Sequence, residues 1–154
     1  MEELRLYSFQ NMYFSGIHAG IQTAHTIAEI SLQTEEKNSY KEWAYKHKTI
    51  VILNGGMEKD LWDLYEFLDT NDNPFMWDYF QESKEAANEA LTNISIILPE
   101  RIFNFKKNMP NRYKNRWYSF FFKIYTPEFI EYIKSFTKFE RELGERVSKC
   151  RLMN

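Results

Sequence analysis

His18, Gln22 and His25 are the residues whose types and spacing most readily suggest chemistry. Gaps of four and three bring all three to one face of a helix. Two imidazoles and an amide near a helix's amino end would make a hydrogen-bonding strip that attracts anions, because the first N–H groups there are unpaired and carry partial positive charge. They do not make a metal site: Glu29, four residues beyond His25, is the nearest carboxylate, and no third donor stands at a supporting spacing. A second candidate is Asn54-Gly55-Gly56, which follows an apolar run at the place where open α/β sheets bind ligands. No Gly-Lys-Ser/Thr follows it, so it is not a phosphate loop, and a plain turn accounts for the same residues. Asp78 sits between Trp77 and Tyr79, where burial would suit it to carry a proton; a surface carboxylate in an alternating strand accounts for it equally well. The stretch 101–117 interleaves Lys106, Lys107, Arg112 and Arg116 with aromatic rings. Cations neutralise phosphates and rings stack on bases, so this composition suits a nucleotide or RNA; packing of a basic segment on an acidic body is the plainer alternative. The single cysteine, Cys150, excludes a disulfide framework and a thiolate metal cluster. No Ser/His/Asp or Cys/His arrangement can be assembled, and no cofactor is implied.

The elements that must position these residues are legible from periodicity. Leu4–Gln10 alternates with period two and reads as a strand. After the turn Ser15-Gly16, residues 17–32 read as a helix whose stripe Ile17, Ile21, Ala24, Ile27, Ala28 and Leu32 is expected to be buried. Residues 34–48 read as a loop with a short helix. The β-branched run 49–53 predicts a strand in the middle of a sheet, covered on both faces. A helix over 57–68, a strand over 75–80, a helix over 82–90 and a strand over 93–98 follow, the last stopped by Pro99. A further strand is expected over 117–125. Thr126-Pro127-Glu128 then opens a helix running to about residue 149, with Phe129, Ile130, Ile133, Phe136 and Leu143 inward. This alternation predicts an α/β protein, a mixed β-sheet sandwiched by helices with a basic, aromatic β-α extension.

At 154 residues the chain suits a single domain, a core of 1–100 with the extension 101–154 packed on it. The net charge of −2 hides an asymmetry: residues 1–100 carry seven Lys/Arg against seventeen Asp/Glu, residues 101–154 thirteen against five. The first residues are acidic and lack the apolar run of a secretory leader, and no window approaches about 18 consecutive apolar residues, so the expected location is the cytoplasm, with no membrane partner. Thirteen Phe, ten Tyr and four Trp exceed what one small core needs, which points to a second surface to bury, such as a homodimer interface.

The stretch Ser15-Gly-Ile-His-Ala-Gly-Ile-Gln-Thr-Ala-His-Thr-Ile-Ala28, a strand, small-residue turn and helix carrying Gln-x-x-His, resembles the type-2 peptidyl-tRNA hydrolases. The similarity extends over about residues 3–100: a loop with Trp43, the strand Lys48–Leu53, the helix 59–68, Asp78 at the place of an Asp-x-Gly-x-Thr segment, and a strand opened by Thr92 that ends at Pro99. The resemblance implies a hydrolase-like α/β fold, a dimer, and a site built on Gln22, His25, Asp78 and Thr92. His18 stands where that family has its catalytic lysine, and Phe80 and Glu82 replace its Gly and Thr. The implied function is a non-catalytic protein that holds a nucleotide or RNA end with His18, Gln22, His25, Asn54, Gly55 and the four cations. The alternatives are an esterase in which His18, Asp78 and Thr92 do the work, and an inhibitor of a host protein. The aromatic, Asn- and Lys-rich composition also looks like the accessory proteins of large tailed phages, which would make a nucleotide signal of host immunity a natural ligand.

Overall fold

Four runs with strand periodicity pair into one sheet: β1 (Leu4–Asn11), β2 (Ile50–Gly56), β3 (Trp77–Gln81) and β4 (Leu91–Pro99), in the order β2-β1-β4-β3. β1 and β2 are parallel, and β4 runs antiparallel to both β1 and β3. The computed structural model describes residues 2–33, 39–70, 72–109 and 126–153. They divide into two compact units, Met1–Pro99 with Cys150–Asn154, and Glu100–Lys149. The chain is α/β with a mixed sheet, and the division falls where the charge changes sign.

In the first unit the helices are α1 (Ile17–Leu32), α2 (Ser39–Glu42), α3 (Glu58–Leu68) and α4 (Lys84–Ala87), with a π turn over Trp43–His47. α1 and α3 cover opposite faces. Ser8 and Asn93 bond to Thr23 and Thr26 of α1, whereas Tyr65 of α3 packs on Trp77 and Tyr79, which belong to the other face by strand alternation. Leu61, Leu64 and Leu68 are the buried side of α3. On the α1 face Leu6, Ile30, Trp43, Met76 and Ile97 form an apolar cluster.

Three expectations are corrected. The run 49–53 forms an outer strand, because β1 and β4 take the middle; Ile50 is 44% exposed. Its outer edge is partly covered by the chain's last residues: the Asn54 N–H donates to the Arg151 carbonyl at 2.8 Å and the Met153 N–H to that of Ile52 at 2.9 Å. The helix expected over 82–90 shrinks to one turn, capped by Ser83 and ended by Asn88 and Glu89 in left-handed backbone, φ 52° and 62°. The largest change concerns α1, whose buried residues are Ala19, Gln22, Thr23, Thr26 and Ile30. Most of its apolar stripe faces outward instead: Ile17 is 76% exposed and Leu32 74%, with Ile21, Ala24 and Ala28 also exposed, while Ile27 alone is half-buried against the apolar cluster. The helix has two sides, as periodicity shows, and the polar one is inside.

The second unit contains α5 (Glu100–Phe103), α6 (Phe105–Asn108), α7 (Pro127–Lys134) and α8 (Lys138–Lys149). Thr126 caps α7 through the Phe129 N–H, with Pro127 in the first turn. One continuous helix was expected to residue 149; the chain breaks at residues 135–137 because Thr137 and Glu140 form a reciprocal capping box. The Thr137 N–H donates to Glu140 Oε2 at 2.9 Å, and the Glu140 N–H to Thr137 Oγ1 at 3.1 Å. Burial works to raise the Glu140 carboxyl, but the Arg101 guanidinium and the Thr137 N–H outweigh it and hold the group below the usual carboxylate range. Phe105, Phe136 and Tyr132 pack ring on ring, Phe105 to Phe136 at 5.2 Å and 87°. Phe136 and Leu143 are buried as expected, whereas Ile130 is 38% exposed. The strand expected over 117–125 lies outside the described residues.

Candidate functional site

α1 meets the middle strands through polar side chains. Its N-cap is Gly16, at φ 60° with no side-chain cap, and its first turn holds no acid. His18 lies exposed in that turn and His25 two turns on, with the buried Gln22 between them. The three residues share one side of the helix, as their spacing predicts. The His25 ring stacks on Phe80 of β3, centroids 4.3 Å apart and planes 12° from parallel.

Gln22 connects this strip to the sheet. Its carbonyl accepts from the Thr92 hydroxyl at 2.8 Å, and its amide donates to Glu82 at 2.6 Å. Thr92 also lies 3.2 Å from the Phe80 carbonyl. A bulge makes this reach possible. Phe80 stands opposite Asn93 but Gln81 opposite Leu91, so the ladder skips Thr92. In a regular strand Thr92 would face away from Asn93; the bulge re-aims it toward α1.

Behind this pair lies a seam with little access to water. Asn93 donates to Ser8 Oγ at 2.6 Å and to Gln10 Oε1 at 2.8 Å, while its own carbonyl accepts from Thr26 at 2.6 Å and Ser95 at 2.8 Å. Ser8 bonds Thr23 at 2.8 Å, and Gln10 donates to the Thr92 carbonyl at 3.0 Å. Ser8, Gln10, Thr26, Thr92, Asn93 and Ser95 are all fully buried. Burying such groups is tolerable only because they bond one another.

Other candidates fall elsewhere. The structure brings Gln22 and Thr92 together but places Asp78 apart from them. Asp78 pairs opposite Ser95, and its carboxylate takes the Tyr79 N–H at 2.8 Å and the Gln33 amide at 3.0 Å. The carboxylate beside Gln22 and Thr92 is that of Glu82. Asn54 is exposed and accepts the Gly56 N–H at 2.9 Å. A Cβ on Gly55 would come within 2.7 Å of Leu61 Cδ2, and Gly56 needs φ 89°, so close packing and turn geometry account for both glycines. Lys106 and Lys107 lie exposed on α6 in the second unit; Arg112 and Arg116 lie outside the described residues. Among the described residues no three His, Cys, Asp or Glu are grouped to hold a metal ion, and no helix is long and apolar enough to cross a membrane.

Sequence reasoning did not single out Glu82, Phe80, Ser8, Gln10, Asn93 or Ser95 as site-forming. The signal for the seam was present: Ser8/Gln10 and Asn93/Ser95 are polar pairs at spacing two inside otherwise apolar strands, and Gln22, Thr23 and Thr26 are polar at helical spacing.

Fold and site together define an α/β protein with a hydrogen-bonded polar seam between its first helix and a mixed sheet. No family model matches the sequence, and no curated protein matches it.

Proposed function

We propose that the chain is a non-catalytic binding protein on a scaffold like that of the type-2 peptidyl-tRNA hydrolases, holding a nucleotide or an RNA end along α1. The observation that carries this reading is the closed hydrogen bonding of Gln22 and Thr92. Gln22 joins the Thr92 hydroxyl on one side and Glu82 on the other, so neither residue is poised to polarise a carbonyl or activate water. The order of elements supports the scaffold: the Gln-x-x-His helix follows β1, and the strand containing Thr92 ends at Pro99 beside β1. The loss of turnover is supported by His18 at the lysine position and Glu82 at the place of the family's threonine.

The strip on α1 offers the contacts a nucleotide needs. The uncapped amino end and His18 suit a phosphate, and the His25–Phe80 stack offers a flat face to a base. The seven steps from His18 to His25 rise about 10 Å along the helix, the span of a mononucleotide. In a phage setting such a protein would sequester a nucleotide signal of host immunity. Calorimetric titration with mono-, di- and cyclic nucleotides and with tRNA tests the reading. Binding is expected with at least one of them, and His25→Ala should weaken it roughly tenfold by removing the stacking face. Silence with every nucleotide and with tRNA removes the proposal; release of labelled peptide from peptidyl-tRNA replaces it with the esterase.

The same reading takes the chain as a homodimer in which a second copy covers the outward strip of α1. Gly20, Ala24 and Ala28 recur every fourth residue there between Ile17, Ile21 and Leu32, so two such helices can approach closely. Sedimentation should give twice the 18.7 kDa of one chain, and Ile21→Glu should give that single mass. A wild-type protein sedimenting as one chain takes the second copy away.

A further inference from the structure

A cleft of about 520 Å³ lies along β3, lined among others by Tyr65, Trp77, Tyr79, Asp69, Asp78 and Gln33. It is separate from the strip on α1 and takes no part in the reading above. Three of its walls are aromatic. Tyr65 stands nearly perpendicular to Trp77, at 5.4 Å and 73°, and to Tyr79, at 5.0 Å and 86°. The rings are half-buried, so part of each remains open to the cleft.

The rest of the lining is mixed, Gln33, Asn73, Pro74, Phe75 and Met76 with two carboxylates, Asp69 and Asp78. Among the described residues neither Asp69 nor Asp78 forms an ion pair with a lysine or arginine. Residues 60–83 contain seven Asp or Glu and no Lys or Arg, so the field around the cleft is negative. Burial first, and then the charges of Asp69, Tyr79 and Asp78, pushes the Tyr65 hydroxyl above the ordinary phenol range.

An added peptide strand would find part of this edge already taken. The Trp77 carbonyl already accepts from Gln33 at 2.7 Å, and the Tyr79 N–H already donates to Asp78 at 2.8 Å. Both groups point outward from β3, since Met76 bonds across to Ile97 of β4. The rings and the two carboxylates offer a ligand an apolar wall with acceptors at its rim.

We propose that this cleft binds a guanidinium group, on a small free guanidine or on an arginine side chain. A guanidinium is flat and weakly hydrated, stacks on Trp and Tyr faces, and donates hydrogen bonds in its own plane to carboxylates. A primary ammonium is more strongly hydrated and presents no plane to stack. A quaternary ammonium donates nothing to Asp69 or Asp78.

The test is an NMR titration of the full chain with agmatine, observing the Trp77 indole N–H, which Trp77→Phe assigns. The expected result is a saturable shift that weakens with added salt. Butylamine should bind more weakly, and butylurea, an uncharged analogue, should leave the signal in place. Asp69→Asn, an exposed position at the end of α3, should weaken agmatine roughly tenfold. Tighter binding of N-acetyl-arginine methylamide than of agmatine would assign the site to a peptide arginine, and the reverse order to a free guanidine. No saturable shift at about 10 mM agmatine, or an equal response to the uncharged analogue, overturns the proposal. The salt dependence is read on the wild-type protein, so the test stands even if a variant fails to fold.

Discussion

Asn93→Ala is expected to destabilise the first unit by about 3–5 kcal/mol, a large share of a small unit's stability. Asn93 lies between two layers and engages four side chains, Ser8, Gln10, Thr26 and Ser95, all fully buried. Its removal does not affect them equally. Thr26 keeps its bond to the Gln22 carbonyl and Ser8 its bond to Thr23. The Gln10 carbonyl and the Ser95 hydroxyl lose the side-chain partner that Asn93 supplied. Each buried polar group left without a partner costs about 1–3 kcal/mol, and the cavity adds to that. Hydrogen exchange of the β4 amides measures the effect. Asn93→Leu, which restores the volume and not the hydrogen bonds, should be no better than alanine; recovery with leucine would mean that packing, and not the polar seam, holds α1 to the sheet.

Gly144→Val should loosen the second unit by about 3 kcal/mol. Gly144 lies in α8, where a valine forms helix at least as well as glycine, so propensity alone predicts no loss. Packing decides the sign. A Cβ at this position would come within 2.6 Å of Phe105 Cβ, 2.9 Å of its Cγ and 3.1 Å of the Ile102 carbonyl oxygen. Phe105 is 1% exposed and braced by Phe136, and a backbone carbonyl cannot step aside as a flexible side chain does. The α8 amides should exchange faster in the variant while those of β4 are unchanged. Equal acceleration in both would show that the two units unfold together, and no acceleration would show that α6 has room to retreat.

The limits of α1 and the existence of all four strands of the sheet were legible in the sequence, because both elements repeat apolar side chains at characteristic periods. The break between α7 and α8 was legible too, in Thr137-x-x-Glu140, but the apolar pattern runs through the break and masks it. The resemblance put Gln22 and Thr92 in one site but gave Thr92 the partner Asp78; that Gln22 bonds Thr92 and Glu82 was not legible, because the bulge at Thr92 alters which strand residues face α1.

By itself, then, the sequence determined where α1 and the four strands lie, how charge divides at residue 100, and which residues of α1 share a side. Only the tertiary structure decided which side is buried. Periodicity distinguishes the two faces of a helix by polarity and predicts the apolar one inside, on the assumption that the wall it meets is apolar. Here the facing wall is Ser8, Gln10, Asn93 and Ser95, supplied by strands far apart in the chain, and only their assembly gives Gln22, Thr23 and Thr26 the partners that make burial tolerable.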